Sequence, residues 1–331
     1  MKIVHTYINN MYIDKEDNFA EKWHLTGEQE QGNEVTLICG SNENKRKEYV
    51  WKGIKVIELP ILFQLTTSTR ILKGLVKELM NIKADIFHTH HYCSFVPEIT
   101  AVIGKIRKIP TVITIHNPFN EQKGLVGLFE KAYLVCMQPS FMLYNKVYFI
   151  SNYLKNKKCF LVSKHKKEVL YNYFKPMKKI DIERKKNTIL FLGRIDPVKG
   201  IDILLKAMVL IKNKGLDIKL RIVGKYSADS KCKMELEQFI KENDLNAEFI
   251  GALYGEDKLK ELYSNSVLVV PSRSEGFGNV AKEGLLCNIP TIVSNNGALP
   301  EIVNYNKDMI FTSVEDLAEK IILRLGKEQK K

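Results

Sequence analysis

Short apolar runs alternate along the whole chain with stretches in which apolar residues recur every three to four positions. The first pattern is that of buried strands, the second that of amphipathic helices. In the first half, runs at 2–6, 34–39, 55–59, 85–88, 111–115 and 159–162 predict strands. Helical spacing falls at 21–31, 69–81, 97–108 and 164–174, and the aromatic-rich segment 121–150 fits neither period. A polar, lysine-rich stretch at 176–187 follows. The alternation then resumes, with strands at 188–192, 218–223, 248–250, 267–270 and 291–293 and helices at 201–214, 231–242, 258–264, 280–286 and 314–325. Such alternation builds parallel sheets covered by helices on both faces. The expected architecture is α/β: two doubly wound domains, 1–175 and 188–331, joined by a linker at 176–187 and facing a cleft. Ligands of such sheets bind beyond the carboxyl ends of the strands.

Composition narrows the class. A chain of 331 residues has room for two domains, and 45% hydrophobic residues is ordinary for a globular protein. Six cysteines (Cys39, Cys93, Cys136, Cys159, Cys232, Cys287) are scattered without a C-x-x-C pair, as expected of idle thiols in a reducing compartment. No apolar run approaches the roughly 18–20 residues of a membrane span. Met1-Lys2-Ile3-Val4-His5-Thr6-Tyr7 reads as a first strand, not a signal peptide. A cytoplasmic location is expected.

Charge adds a second reading. The net charge is +13, and residues 1–180 hold 27 Lys+Arg against 16 Asp+Glu, whereas 181–331 hold 24 against 22. Nine lysines fall between Lys155 and Lys179, with Lys164, Lys166 and Lys167 at the centre and Tyr171, Tyr173 and Phe174 among them. The segment is either a solvated face or a patch for an anionic acceptor or the inner face of a membrane, to which the protein would bind peripherally. Nucleic acid is not expected, since no binding motif accompanies the charge.

The chemistry concentrates in two loops. Val269-Val270-Pro271-Ser272-Arg273-Ser274-Glu275-Gly276-Phe277-Gly278 reads as a buried strand and a glycine-flanked loop, and Asn279-Val280-Ala281-Lys282-Glu283-Gly284 starts a helix. Glycines and a helix start offer backbone N–H groups to a phosphate, and the carboxylates of Glu275 and Glu283 suit sugar hydroxyls. Phosphate and polyol together suggest a nucleotide sugar. The second loop, in Leu192-Gly193-Arg194-Ile195-Asp196-Pro197-Val198-Lys199-Gly200, carries two cations between a strand and a helix. Fixed cations stabilise the negative charge that builds on a departing diphosphate. No Asp-x-Asp occurs; taken with the glycosyltransferase resemblance these loops carry, that implies a reaction without metal or cofactor, with Arg194 and Lys199 in the metal's place. Gly224 and Gly251 end strands where a base or phosphate could lie close to the backbone; an ordinary strand-to-loop turn explains each as well.

The Glu-x7-Glu spacing headed by Glu-Gly-Phe-Gly, with the Gly-Arg…Lys-Gly loop before it, resembles the retaining GT-B glycosyltransferases of the glycogen-synthase-like group, family four. The resemblance runs from about Thr188 to Val303. It implies a GT-B fold of two Rossmann-like domains and transfer of a sugar, a hexose by expectation, from a nucleoside-diphosphate donor to an acceptor hydroxyl with retention. It implies further that Arg194 and Lys199 meet the diphosphate, Glu275 the transferred sugar and Glu283 the ribose, while Gly193, Phe277 and Gly278 line the donor site. His116, after the run at 111–115, matches a family histidine near sugar and acceptor, with a capped core histidine as the plainer alternative. His88, His90 and His91 with Cys93 fit no standard zinc spacing and read as cleft lining. His24 and His165 read as structural or exposed.

Three family features are absent from this sequence. Segment 8–15 has no Gly-Gly pair, Lys175-Pro176-Met177 stands where an Asn-Gly-Val-Asp turn is usual, and the chain ends soon after the last helical run. These leave a second function open, a nucleotide-sugar-binding subunit that regulates or scaffolds another transferase. A nucleotide-sugar epimerase of the same fold is a third.

Overall fold

The computed structural model describes residues 1–9, 20–41, 43, 45–66, 69–92, 94–116, 128, 132, 135–157, 161–174, 176–226 and 230–328. The chain gathers into two compact units, Met1–Phe174 and Lys175–Lys331.

In unit 1 the strands are β1 (Lys2–Tyr7), β2 (Glu34–Ser41), β3 (Lys47–Trp51), β4 (Ile54–Thr66), β5 (Thr69–Leu72), β6 (Ile86–His90), β7 (Thr111–Ile115), β8 (Lys146–Phe149) and β9 (Lys167–Val169). The helices that matter here are α1 (Ala20–Glu30), α2 (Leu75–Asn81) and α3 (Val96–Arg107). The sheet order is β3-β4-β2-β1-β6-β7-β8-β9, with β5 on β4. All pairings are parallel except β3–β4 and β4–β5. One core contains Val4, Ile38, Ile57, Leu59, Leu79, Phe87 and Ile103; another contains Leu25, Val35, Leu37 and Val56. Full burial of such side chains contributes about 1.5–3 kcal/mol each.

Unit 2 is more regular. β10 (Thr188–Leu192), β11 (Lys219–Val223), β12 (Ala247–Gly251), β13 (Val267–Val270), β14 (Thr291–Ser294) and β15 (Ile310–Phe311) form one sheet in the order β12-β11-β10-β13-β14-β15. Every pairing is parallel. Between the strands run α4 (Ile201–Asn213), α5 (Ser230–Glu242), α6 (Gly255–Ser264), α7 (Asn279–Leu286) and the last helix, α8 (Val314–Glu328). The order reverses at β10 and β13, the switch point beside which doubly wound sheets bind ligands. Leu190, Val267, Leu268 and Val269 are fully buried there.

Three sequence expectations are corrected. The helix expected over 164–174 is one 3-10 turn at Lys164–Lys166, then β9, then irregular chain. Pairing of β9 with the edge of β8 (Val147↔Lys167, Phe149↔Val169) overrides a weak helical preference. The helix expected over 69–81 is β5 and the shorter α2, divided by Gly74 at φ 88°. The strand expected over 159–162 lies partly outside the described residues, and 161–162 are irregular.

Candidate functional site

In unit 2 the two motif loops leave the carboxyl ends of β10 and β13, the strands at the switch point. Side chains tie them together. The Arg273 guanidinium donates to both carboxylate oxygens of Asp202, at 2.8 and 2.6 Å, and to the Pro197 carbonyl at 2.6 Å. Burial works against the Asp202 carboxylate, but its bonds to Arg273 prevail and hold its pKa below the usual range. The Arg273 N–H adds a bond to the Val198 carbonyl at 2.7 Å. Gly200 completes the staple: at φ 68°, a Cβ there would stand 2.1 Å from the Pro271 carbonyl oxygen.

Within this frame Lys199 donates to Glu275 Oε1 at 2.6 Å, and the Ser272 hydroxyl donates to the same oxygen at 2.9 Å. The Asp196 carboxylate accepts from the Lys199 N–H at 3.0 Å and fixes the turn. Both side chains of the ion pair are mostly buried. Arg194 differs: its side chain is 70% exposed and stands 3.3 Å from Asp196, within reach of an incoming ligand.

Glu283 lies on α7, 1% exposed. Its two carboxylate oxygens each lie 2.7 Å from the Lys258 ammonium on α6. Lys258 was not singled out in the sequence, yet it lies on the buried stripe of α6 with Glu261 and Leu262. A lysine on the same helix face as Leu262, four positions on, is the signal that marks it. Phe277 is buried, and Gly278 caps α7 at φ 101°, the left-handed region that favours glycine.

The remaining strand-end glycines have steric reasons of their own. A Cβ on Gly224 would stand 1.7 Å from the Gly193 carbonyl oxygen, so the chains leaving β10 and β11 approach closely there. Gly251 adopts φ 88°.

In unit 1, His116 follows β7 directly and is buried, its Nε2 2.9 Å from His90 Nδ1. The sequence did not reveal its company. Six of the seven histidines gather here: His5, His24, His88, His90, His91 and His116. His24 is therefore core, not surface. Glu28 on α1 bonds His5 and His88. Cys93, grouped with these histidines in the sequence, lies outside the described residues. Of the basic patch, Lys164 is exposed; Lys166 donates to the Met142 and Tyr144 carbonyls at 3.0 and 2.7 Å, and Lys167 lies over the Phe149 ring.

The arrangement in unit 2 is two carboxylates, each held by a lysine, beside a stapled loop pair and a glycine-capped helix. It can hold an anion and a polyol side by side.

Comparison with known proteins bears on this directly. Residues 27–173 match the family described as Glycosyltransferase Family 4, and residues 173–331 match Glycosyl transferases group 1. An uncharacterized glycosyltransferase of Methanocaldococcus jannaschii is 30% identical over 257 residues, covering 74% of this chain and 66% of that protein. The phosphatidylinositol N-acetylglucosaminyltransferase GPI3 subunit of Saccharomyces cerevisiae is 22% identical over 313 residues, covering 87% and 67%. The chain spans 66%, 45% and 62% of the lengths of three curated relatives it matches. Among solved structures, Anabaena HepE in complex with UDP superposes with a TM-score of 0.75 at 16% identity, covering 100% of this chain and 91% of that one.

Proposed function

Because the chain belongs to the GT-B glycosyltransferases of the family-four type, we propose that it transfers a sugar from a nucleoside-diphosphate sugar to an acceptor hydroxyl, with retention at the anomeric carbon. The observation that carries the reading is the pair of lysine–carboxylate contacts, Lys199–Glu275, partly buried, and Lys258–Glu283, buried, at the switch point of an all-parallel sheet. Lys199 and Arg194 take the diphosphate and stabilise the charge that develops as it leaves. Glu275 accepts from hydroxyls of the transferred sugar, and Glu283 from the ribose. Gly193, Gly224, Gly251, Phe277 and Gly278 shape the backbone that the donor approaches, and His116 serves the sugar and acceptor. The chemistry needs no metal.

UDP in the related HepE structure makes uridine the first base to test. A thermal-shift panel of UDP-, GDP- and ADP-sugars identifies the donor, since a ligand that binds only the folded state raises its apparent stability. The acceptor in this reading is lipid-linked or membrane-borne, supported by the nine lysines between Lys155 and Lys179 and by the phosphatidylinositol acceptor in the name of the yeast relative. Sedimentation with anionic and neutral vesicles at low and moderate salt tests it; equal binding to both lipids removes the support of the charge. Lys164 is the residue of that patch to reverse, since the Lys166 ammonium is held by carbonyls.

A second reading, a binding subunit without turnover, is favoured by the lack of a Gly-Gly pair in segment 8–15. Residues 10–15 lie outside the described structure. Slow hydrolysis of the donor by the isolated protein separates the two readings.

A further inference from the structure

Two neighbouring helices of unit 1 expose apolar side chains that the core does not use. Val76 and Met80 of α2 are 50% and 43% exposed, and Val102 and Ile106 of α3 are 45% and 62% exposed. Within each helix the two residues lie four positions apart and share a face.

Other contacts fix which way those faces turn. Arg46, just before the edge strand β3, donates to Glu78 Oε1 at 2.6 Å, so the Glu78 flank of α2 turns toward β3. Val76 and Met80 stand two positions either side of Glu78, about 160° round the helix from it. They therefore lie on the flank toward α3. On α3, Arg107 donates to the Leu79 and Ile82 carbonyls, at 2.5 and 2.7 Å, which brings the C-terminal ends of the two helices together. Ile99 packs on the core that Leu75 and Leu79 of α2 enter. Ile106, seven positions on, returns to nearly the same face and continues the flank of α3 that meets α2. The four side chains form one apolar strip along the seam between the helices.

The strip has a rim of unpaired positive charge. Lys73, Lys77, Lys83, Lys105 and Lys108 are exposed, and among the described residues none of them meets a carboxylate. The acids of the same segment are occupied or covered. Glu78 is held by Arg46, Asp85 accepts from the Lys2 N–H at 2.6 Å, and Glu98 is buried. The helix dipole explains Lys105 and Lys108, which stand at a C-terminus where cations are favoured. It does not explain Lys73 and Lys77, which stand beside the N-terminus of α2, where a cation is disfavoured. Neither core packing nor helix stability accounts for apolar and cationic groups together on this face.

We propose that the α2–α3 seam is a docking surface for an anionic lipid bilayer, with Val76, Met80, Val102 and Ile106 entering the headgroup region and the lysines meeting the lipid charge. The chemistry favours lipid over a protein partner. Protein interfaces are depleted of lysine and anchored by aromatic residues or arginine, and this strip has only aliphatic and thioether side chains with lysines round them. Lysines beside an apolar helix face are instead the pattern of helices that lie in the plane of an anionic interface. The surface is separate from the lysines of 155–179: α3 packs on β1, β6 and β7, whereas Lys164, Lys166 and Lys167 lie by β9 at the sheet edge. That the bilayer carries the sugar acceptor rests on the proposed function; the docking does not.

Flotation of the full chain with vesicles of phosphatidylcholine, alone or with one-third phosphatidylglycerol, tests the proposal at low and moderate salt. The wild type should bind the anionic vesicles and not the neutral ones. Lys77→Glu with Lys105→Glu should weaken that binding at least about tenfold at low salt, since each lysine near an anionic surface counts for roughly fivefold. Met80→Gln with Ile106→Gln should weaken it most at moderate salt, where the charges are screened and the apolar contact remains. All four positions are exposed, so both double variants should keep the circular dichroism of the wild type. In Ile106→Trp, the emission gained over the wild type should move to the blue on anionic vesicles and be quenched by brominated acyl chains. Wild-type binding in both double variants, Ile106→Trp emission unmoved by vesicles that carry the protein, or a dimer in light scattering that Met80→Gln with Ile106→Gln dissolves would overturn the proposal. If the seam variants float like the wild type and Lys164→Glu does not, the seam is refuted and the membrane-borne acceptor stands. If floating depends on the seam but sugar passes only to a soluble acceptor, the acceptor reading fails and the docking surface stands. No floating of the wild type refutes both.

Discussion

The Lys199 ammonium lies 2.6 Å from Glu275 Oε1, although 76 positions separate the two residues along the chain. The contact joins the loop after β10 to the loop after β13. In the proposed reading it also joins the two roles, since the cation proposed for phosphate pairs here with the carboxylate proposed for sugar. An ammonium has three donors. If Lys199 keeps Glu275 with one and turns the others to phosphate oxygens, as the proposed function has it, then binding of a diphosphate should bear on the orientation of Glu275.

Lys199→Ala and Arg194→Ala should each lose about 2–4 kcal/mol of transition-state stabilisation, the usual loss on deleting one preorganised charged donor. Steady-state kcat/KM measures it, and the rate should persist in EDTA. Wild-type turnover in the double variant would contradict the role.

Glu275→Gln keeps the shape of the side chain but weakens its acceptance from hydroxyls. It should lower kcat much more than affinity for the bare nucleoside diphosphate. A matching loss of both would place Glu275 at the nucleotide instead of the sugar.

Lys258→Met should leave Glu283 as a buried carboxylate without its ammonium partner and cost about 3–5 kcal/mol in denaturant unfolding. Adding Glu283→Gln should return much of that stability, because the stranded charge is then gone. Additive losses in the double variant would deny the coupling.

Much of unit 2 was legible in the sequence. Its strands alternate with helices at the right periods, and the fully buried run Val267–Val270 announces a central parallel strand. The motif residues came together because switch-point strands bring their loops together. Unit 1 was harder. β3 and β5 are short, and β9 has a helix-favouring composition but is captured by the edge of β8. The lysine partner of Glu283 escaped a reading by motif, since Lys258 is marked by its place on a buried helix face and not by its neighbours in sequence. The histidine cluster was hidden for a similar reason. His88 and His90 share a face by alternation, but His5 and Glu28 join them through sheet order and helix packing, which no local pattern specifies.

Acid should destabilise unit 1. Burial, with the neighbouring His88 adding to it, pushes His24 down to about 4, and burial does the same to His91. Both stand near 6.5 when unfolded. Between those values the unfolded chain binds protons that the native state refuses, so stability falls as pH drops from about 6.5 to about 4. The slope is about 1.4 kcal/mol per pH unit for each group. Thermal unfolding across that range checks it, and a constant Tm would show that the histidines are not held neutral.

The most direct test of the central claim is calorimetric titration of the purified protein with UDP, GDP and ADP in EDTA, repeated on Glu283→Gln. The account predicts that one nucleoside diphosphate binds the wild type, and that Glu283→Gln weakens it at least about tenfold while its 2′,3′-dideoxy analogue binds both proteins alike, a tenfold change being about 1.4 kcal/mol. No binding by any of the three, or equal binding of the ribonucleotide to both proteins, would contradict it.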